Sequence, residues 1–358
     1  MRTIKLRDIA SPISINISNP SDCGYDKFVG LEHYDSGEFV ISRYSGVKLL
    51  TSAAKEFKKN DILIARRNVY LKRAGIVKFD GITSGDSIIL RVNDHTVDTV
   101  GVPREIIEDY LPLVLNTEDF WLYANKHADG MNSKRISKDT LLDYEFMLPS
   151  EIEIKNISEK AWAAYRLKEA YKRLLVATDE MVKSQFIEMF GNPDTPIAKG
   201  HDLFTFASGK SMVKSELSNE YPYDCYGGNG ITGKARDFLV ANTTIVIGRV
   251  GEYCGCVHKT TEKSWITDNA IYVKSHSNKM LLDFAFHAFI IADFHRFATE
   301  SGQPKITQEP LLSYEFPVPS IEEQEVFINI VRQADKSKFE LKRAIEAIDK
   351  VIKSLING

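Results

Sequence analysis

One stretch of this chain occurs twice. Residues 141–150 read LLDYEFMLPS and residues 311–320 read LLSYEFPVPS, with seven of ten positions identical at an offset of 170. The match runs upstream through Arg135/Lys305, Ile136/Ile306 and Ser137/Thr307. Farther back, Ile62-Leu63-Ile64-Ala65-Arg66 parallels Ile245-Val246-Ile247-Gly248-Arg249 at an offset of 183. Near the start of each copy, Leu6…Ala10-Ser11 parallels Leu203…Ala207-Ser208. An offset that changes along the chain places insertions in loops, as two diverged copies of one domain require. The 358 residues suffice for two or three domains, each with its own core.

Both copies have the same order: a strand-rich region, the YEF…P-S segment, then a long helical segment. The strands are read from β-branched runs bounded by turn residues, at Asp61–Ala65, Ile88–Val92, Thr244–Ile247 and Ala270–Lys274. Apolar residues at helical spacing in Leu113–Ala124 and Leu281–Phe297 predict a helix late in each copy, so the class is mixed α/β (α+β). From Ile321 to Leu355 there is no Pro or Gly, and Phe327, Val331, Ala334, Leu341, Ile345, Ile348, Ile352 and Leu355 follow a heptad track interrupted by Lys338. Pro319-Ser320 before Glu322-Glu323 suits a helix start, where acids meet the N-terminal dipole. A looser track, Ile157, Ala161, Ala164, Tyr171, Leu175, Thr178, Val182, Phe186, Met189, runs up to Gly191-Asn192-Pro193, a helix stop. Each run spans roughly 50–60 Å as a helix. Two readings follow. Either each helix packs on its own domain, or the two pair antiparallel as a coiled-coil spacer between two similar domains. Length and symmetric placement favour the second. The expected layout is a first domain over 1–150, a central spacer helix over 151–192, a second domain over 193–320 and a C-terminal spacer helix over 321–358.

The net charge of −3 excludes a uniformly basic nucleic-acid binder but not a locally basic one. Cys23, Cys225, Cys254 and Cys256 make no disulfide framework and read as reduced thiols, and the Cys254-x-Cys256 pair has no partner pair at zinc spacing. The start, Met1 to Asp8, lacks the apolar core of a signal peptide. The longest apolar stretch, Leu281–Phe294, carries Asp283, His287 and Asp293 and is too short for a membrane span. These features predict a cytoplasmic protein with no membrane partner and no metal site.

Between Lys55 and Lys78 stand eight Lys/Arg and two acids, net +6 in 24 residues. Within this run Lys59, Arg66, Arg67, Asn68, Tyr70, Lys72 and Arg73 are the candidate DNA contacts, with Lys134 and Arg135 beside the repeat. Arg and Asn read guanine and adenine edges bidentately, and Lys neutralises phosphates. Arg66 to Arg73 follows a predicted strand, so an exposed loop is expected. An ordinary solvated, ion-paired face is the competing reading. In the second copy Tyr226-Gly227-Gly228-Asn229-Gly230-Ile231-Thr232-Gly233-Lys234 is Gly-rich but fits neither phosphate-loop pattern. A tight turn bringing backbone close to a large partner fits better. The candidates there are Tyr226, Gly228, Asn229, Thr232, Lys234, Arg249, Lys263, Trp265, Gln303 and Lys305. No H-E-x-x-H, no methyl-donor loop and no nuclease carboxylate pattern occurs, and Gly191-Asn192-Pro193-Asp194 lacks what a methyltransferase N-P-P-Y requires. His287 and His295 lie on an apolar helical stretch and read as packed. No catalytic residues are expected.

With these motifs in this order, the chain resembles the specificity (S) subunits of type I restriction-modification systems. The resemblance rests on Phe28–Tyr34, Lys59–Leu63 and Asp80–Asp86 in the first copy. In the second it rests on Tyr226–Ile231, Ser301-Gly302-Gln303-Pro304-Lys305-Ile306 and the Pro319–Gln324 helix start, together with Met189–Pro193 between the copies. One departure stands: the central helix opens with Ser150-Glu151-Ile152-Glu153 and lacks the Glu-Glu-Gln of 322–324. The resemblance implies two target-recognition domains that each read half of a split, asymmetric double-stranded DNA target. It implies docking of two methyltransferase (M) subunits, which use S-adenosylmethionine, and of a restriction (R) subunit with ATP and Mg²⁺ where one exists, with no cofactor bound by this chain. The bases read do not transfer. A methylation-only or type II-like system is the alternative. A stand-alone DNA-modifying enzyme and a scaffold without a DNA role also stay open.

Overall fold

The structure is a computed structural model describing residues 2–20, 23–47, 50, 52–131, 133–299 and 302–358. Met1 and Ser301, named in the motifs above, lie outside the described residues. The chain divides into two compact units: Met1–Lys172 with Arg343–Gly358, and Arg173–Lys342. Each unit contains part of both long helices.

In the first unit one sheet runs in the order Ala10–Ile13, Ser87–Val92, Ile62–Ala65, Ala74–Val77, Val40–Ile41. Strand alternation sends Ile62 and Ile64 to one face and Leu63 and Ala65 to the other, so all four residues are buried. The first face packs on the helices Arg104–Val114 and Glu118–Lys126. The second meets a further five-stranded sheet through Val29 and Phe57. The periodic run Leu113–Ala124 is therefore two helices rather than one. The first ends after Val114, and Thr117 starts the next by accepting a hydrogen bond from the Phe120 amide.

The second unit repeats this plan. Its sheet runs Phe204–Ser208, Ala270–His276, Ile245–Gly248, Val257–Lys259, beside a three-stranded sheet of Gly230–Ala235, Tyr223–Gly227 and Trp265–Ile266. Its core is phenylalanine-rich, with Phe204, Phe284, Phe289, Phe294, Phe316 and Phe327 all buried. The apolar run Leu281–Phe297 is helical over Leu282–Ala292. It breaks at Asp293, which is left-handed with φ 47°, and closes with a 3-10 turn over Phe294–Phe297.

The register is the same in both copies. Ala65 faces Ser87 as Gly248 faces Ala270, and Ile62 faces Ile76 as Ile245 faces Lys259, all at the offset of 183. A bulge at Thr205/Phe206 absorbs one extra residue in the second copy. At the start of the copies the structure corrects the sequence alignment. The Leu6 amide donates to the Tyr144 carbonyl as the Gly200 amide donates to that of Tyr314. Leu6 thus corresponds to Gly200, and Leu203 to Ile9. Sequence similarity does not reveal this counterpart because it has no side chain: a Cβ at Gly200 would stand 2.0 Å from the Leu311 carbonyl oxygen.

The long helices are Glu151–Phe190 and Ile321–Asn357. In the first unit the beginning of the central helix packs on the end of the last one, through Ile157 and Ala161 against Ile348, Ile352 and Ile356. In the second unit the end of the central helix packs on the beginning of the last one, Phe186 and Phe190 against Phe327. The pairing is antiparallel within each unit. Lys338, the interruption of the heptad track, is ion-paired with Asp179 and Asp335, each at 2.9 Å. Both helices begin with the same capping box: Glu153 accepts from the Ser150 amide at 2.9 Å and Glu323 from the Ser320 amide at 2.9 Å. The Ser150 bonds hold the Glu153 carboxyl below its usual range. The missing Glu-Glu-Gln therefore does not alter the helix start. Gln324 has a separate task. Buried, it accepts from the Leu281 amide and donates to the carbonyls of Lys279 and Pro319, anchoring the turn ahead of Leu282–Ala292.

Candidate nucleic-acid interface

In the first unit the chain leaves the strand Ile62–Ala65 and at once pairs with the segment around Arg135. The Arg66 carbonyl accepts from the Ile136 amide at 3.0 Å, and the Asn68 amide donates to the Lys134 carbonyl at 2.8 Å. The Arg66 amide donates to the Asp86 carbonyl at 2.9 Å. Three segments far apart in sequence thereby converge. In the second unit the Ile306 amide donates to the Arg249 carbonyl at 2.9 Å, the Gly251 amide to the Pro304 carbonyl at 2.8 Å and the Arg249 amide to the Asn269 carbonyl at 2.9 Å. These are the same three bonds, residue for residue, at the offsets of 183 and 170. The bridge Arg67↔Arg135 likewise answers Val250↔Lys305. The crossing is built from main-chain groups alone, so it tolerates different side chains in the two copies.

The side chains at the first crossing are cationic. Arg67 lies 3.2 Å and Arg135 3.8 Å from opposite oxygens of Asp86, a carboxylate the sequence reading did not single out. It holds two guanidinium groups side by side. Lys55 donates to the carbonyls of Gly85 and Ser87, and burial, followed by the charge of Arg66, pushes its ammonium below the ordinary lysine range. Lys134 and Tyr70 are exposed, Tyr70 at 59%. Asn68 is left-handed with φ 52°, its side-chain oxygen accepting from the Ser133 hydroxyl.

Other candidates are placed differently. The loop expected to be exposed is only partly so, because Arg66, Arg67 and Asn68 are half-buried. Arg73 donates to the carbonyls of Leu31 and Arg67, which makes it a brace of the loop. Lys72 pairs with Glu118 at 2.5 Å and holds that carboxyl below its usual range. Lys59 is exposed beside the turn closed by Asp80, away from the crossing in sequence and in hydrogen bonding.

At the second crossing Gln303 and Lys305 are exposed and Arg249 is half-buried. The counterpart of Asp86 is Asn269, so an amide stands here in place of the carboxylate. The Gly-rich motif is a β-hairpin, Tyr223–Gly227 to Gly230–Ala235, with Gly228-Asn229 at its turn. Tyr226 is 4% exposed, packs in a core cluster and accepts from the Thr261 amide, so it is a buried residue rather than an exposed one. Trp265 is half-buried and donates to the Lys210 carbonyl. Lys234 is ion-paired with Asp224 at 3.3 Å, while Thr232 and Lys263 are exposed. All four cysteines are unbonded, with Cys225 and Cys254 buried. Among the described residues no group of three or more metal-ligating side chains gathers, and no helix is long and apolar enough to cross a membrane.

Residues 198–349 match the type I restriction modification DNA specificity domain family. A 104-residue stretch is 34% identical to the type I restriction enzyme EcoprrI specificity subunit of Escherichia coli, covering 29% of this chain and 26% of that protein, so the match spans about a quarter of the relative's length. The chain is similar over 99% of its length to the crystal structure of a type I restriction-modification S subunit from M. genitalium, with TM-score 0.54, 14% identity and 94% of that chain covered. It is similar over the same share to a chain from a structural study of complex assembly and conformational transition of the type I restriction-modification system, with TM-score 0.59, 14% identity and 96% of that chain covered. The second copy thus matches the type I restriction modification DNA specificity domain family over residues 198–349, and the chain as a whole is similar in fold to the specificity subunits of such systems.

Proposed function

We propose that this chain is the DNA-reading subunit of a type I restriction-modification complex, each unit reading one half of a bipartite, asymmetric duplex target. The observation that carries this is the crossing that occurs twice with the same main-chain bonds, dressed with Arg66, Arg67, Lys134 and Arg135 in one unit and with Arg249, Gln303 and Lys305 in the other. Guanidinium forks held side by side suit guanine edges, and the lysines suit phosphates. The chain itself is non-catalytic and cytoplasmic. Methyltransferase subunits supply the S-adenosylmethionine chemistry, and a restriction subunit, where present, supplies ATP-driven cleavage. Apolar residues exposed on the long helices, such as Ile152, Val176, Ile187 and Val326, provide surface for the methyltransferase subunits.

The test is selection of random duplex DNA by this chain together with its methyltransferase partner. A two-part consensus is expected, and retention without sequence preference would sink the reading. Arg66→Ala and Arg67→Ala should each weaken binding by about 1–3 kcal/mol and relax only one half of the consensus. Wild-type affinity in both variants would remove that loop from the interface.

The helices of 40 and 37 residues are about 55–60 Å long, comparable to roughly 16–18 base-pair rises. In the proposed function their length sets the gap between half-sites. Adding one helical turn, about 5.4 Å, to the central helix should lengthen the preferred gap by about one or two base pairs in a methylation assay. An unchanged gap would count against this role.

A further inference from the structure

The copies differ where the second lacks a piece of chain. In the first unit Val40–Ile41 covers the sheet edge Ala74–Val77 in parallel, with Val40 opposite Ile76. The Ile76 amide donates to the Phe39 carbonyl at 2.9 Å. Phe39 is 1% exposed, its ring centroid 5.1 Å from both Trp162 and Tyr165 of the central helix. The neighbouring Glu38 bonds to Lys168 and lies 3.6 Å from Lys172.

The second copy is 14 residues shorter between the counterparts of Val29 and Ile62, and among the described residues no strand covers its edge Val257–Lys259. The position that Phe39 fills in the first unit is here a cavity of about 650 Å³. Its walls are the counterparts of that seat: Val331 for Ala161, Arg332 for Trp162 and Asp335 for Tyr165, at the offset of 170, with Phe286 and Ile328 adding apolar surface. The ladder has the same phase, since the Thr260 amide donates to the Thr244 carbonyl as that of Val77 does to Asp61. The Lys259 amide, like that of Ile76, therefore points toward the open edge.

One cation of the wall is weakly paired. Lys259 pairs with Asp283 and Lys338 with Asp335, each at 2.9 Å. Arg332, 69% exposed, has only a 3.8 Å approach to Asp283 and a long bond to Asn329, so its guanidinium is the least compensated group in the wall. One detail differs: His258 replaces Gly75, whose missing Cβ lets Phe39–Ile41 pass within van der Waals contact. An incoming chain must pass slightly farther out, beyond the imidazole that lies against Gly230 of the hairpin turn.

We propose that this cavity is a docking seat for an extended segment of a partner polypeptide. The segment carries an acidic residue followed by an aromatic one, as Glu38-Phe39 do in the first unit, and adds as a strand beside Val257–Lys259. This does not depend on the DNA reading.

The probe is a fluorescein-labelled nonapeptide copying residues 35–43, Asp-Ser-Gly-Glu-Phe-Val-Ile-Ser-Arg, titrated with the full chain by fluorescence anisotropy. Saturable binding is expected, with loss when the peptide's Phe is Ala. Arg332→Glu should weaken binding about tenfold or more, and Arg332→Gln, which removes only the charge, should weaken it by a smaller factor. Position 332 is exposed, so both variants should fold, which circular dichroism checks. The proposal is overturned by absence of saturation at about 1 mM chain, weaker than any useful docking, or by binding indifferent to both the peptide Phe and Arg332. If Arg332→Glu instead abolishes retention of duplex DNA, or dissolves a dimer in sedimentation velocity, while the peptide stays unbound, the occupant is nucleic acid or a second copy. Either result also overturns it.

Discussion

Gly248→Ala is expected to destabilise the second unit by about 3 kcal/mol, the upper end of what overpacking typically costs. A Cβ there would lie 2.1 Å from the Tyr253 carbonyl oxygen and 2.6 Å from that of Gly228, both backbone atoms that cannot swing aside. The strand Ile245–Gly248 and the start of the second crossing would have to separate. The counterpart residue is Ala65, which fits its place in the first unit and is 1% exposed. Ala65→Gly should therefore cost only about 0.5–1 kcal/mol. Urea unfolding of the two variants checks the asymmetry, and selection of DNA by Gly248→Ala should lose one half of the consensus and keep the other. A wild-type unfolding midpoint for Gly248→Ala would show that the close approach of the 249–256 loop is wrong.

Lys168→Ala is expected to cost the first unit about 3 kcal/mol, the low end for removing one partner of a buried ion pair. Lys168 is 4% exposed, and its ammonium donates to Glu38 and, at 2.5 Å, to Asp349, joining the central helix, the covering segment and the last helix within that unit. Without it two carboxylates face each other; both keep some water, hence the low end. The melting temperature should fall by about 6–12 °C for a unit of this size. The counterpart in the second unit is Lys338 with Asp179, the same pair at the offset of 170. Asp179 and Asp335 are 67% and 61% exposed, so Lys338→Ala should cost no more than about 1 kcal/mol. Equal effects of the two substitutions would contradict this account of where the charges are buried.

These contrasts could not be read from the repeat alone. The offset of 170 was plain because Tyr144-Glu145-Phe146 and Tyr314-Glu315-Phe316 fill the same strand and turn in both copies. The four strands read from β-branched runs lie within a residue or two of the observed ones, since a strand buried on both faces must be apolar throughout. The helices between them were harder. Leu113–Ala124 looked continuous because apolar spacing carries across Leu115–Thr117, where a cap restarts the phase. In the interface, sequence pointed to Arg66, Arg67 and Arg135 but could not show that main-chain bonds join them, nor that Asp86 sits between them. Arg73 braces the loop through two carbonyls and Tyr226 packs in a core cluster, surroundings that the chemistry of the two residues alone does not reveal. Nothing local in a sequence reports which carbonyls a guanidinium will find or which ring will be covered.

The twin crossings also bear on how such a protein can change. Amide and carbonyl groups alone knit Arg66–Asn68 to Lys134–Ile136 and Arg249–Gly251 to Pro304–Ile306, and those groups are indifferent to the residue that carries them. Substitutions at 67, 135, 250 and 305 therefore draw little on folding energy. New preferences can accumulate there by drift, one lobe at a time, without the scaffold having to be rescued after each step.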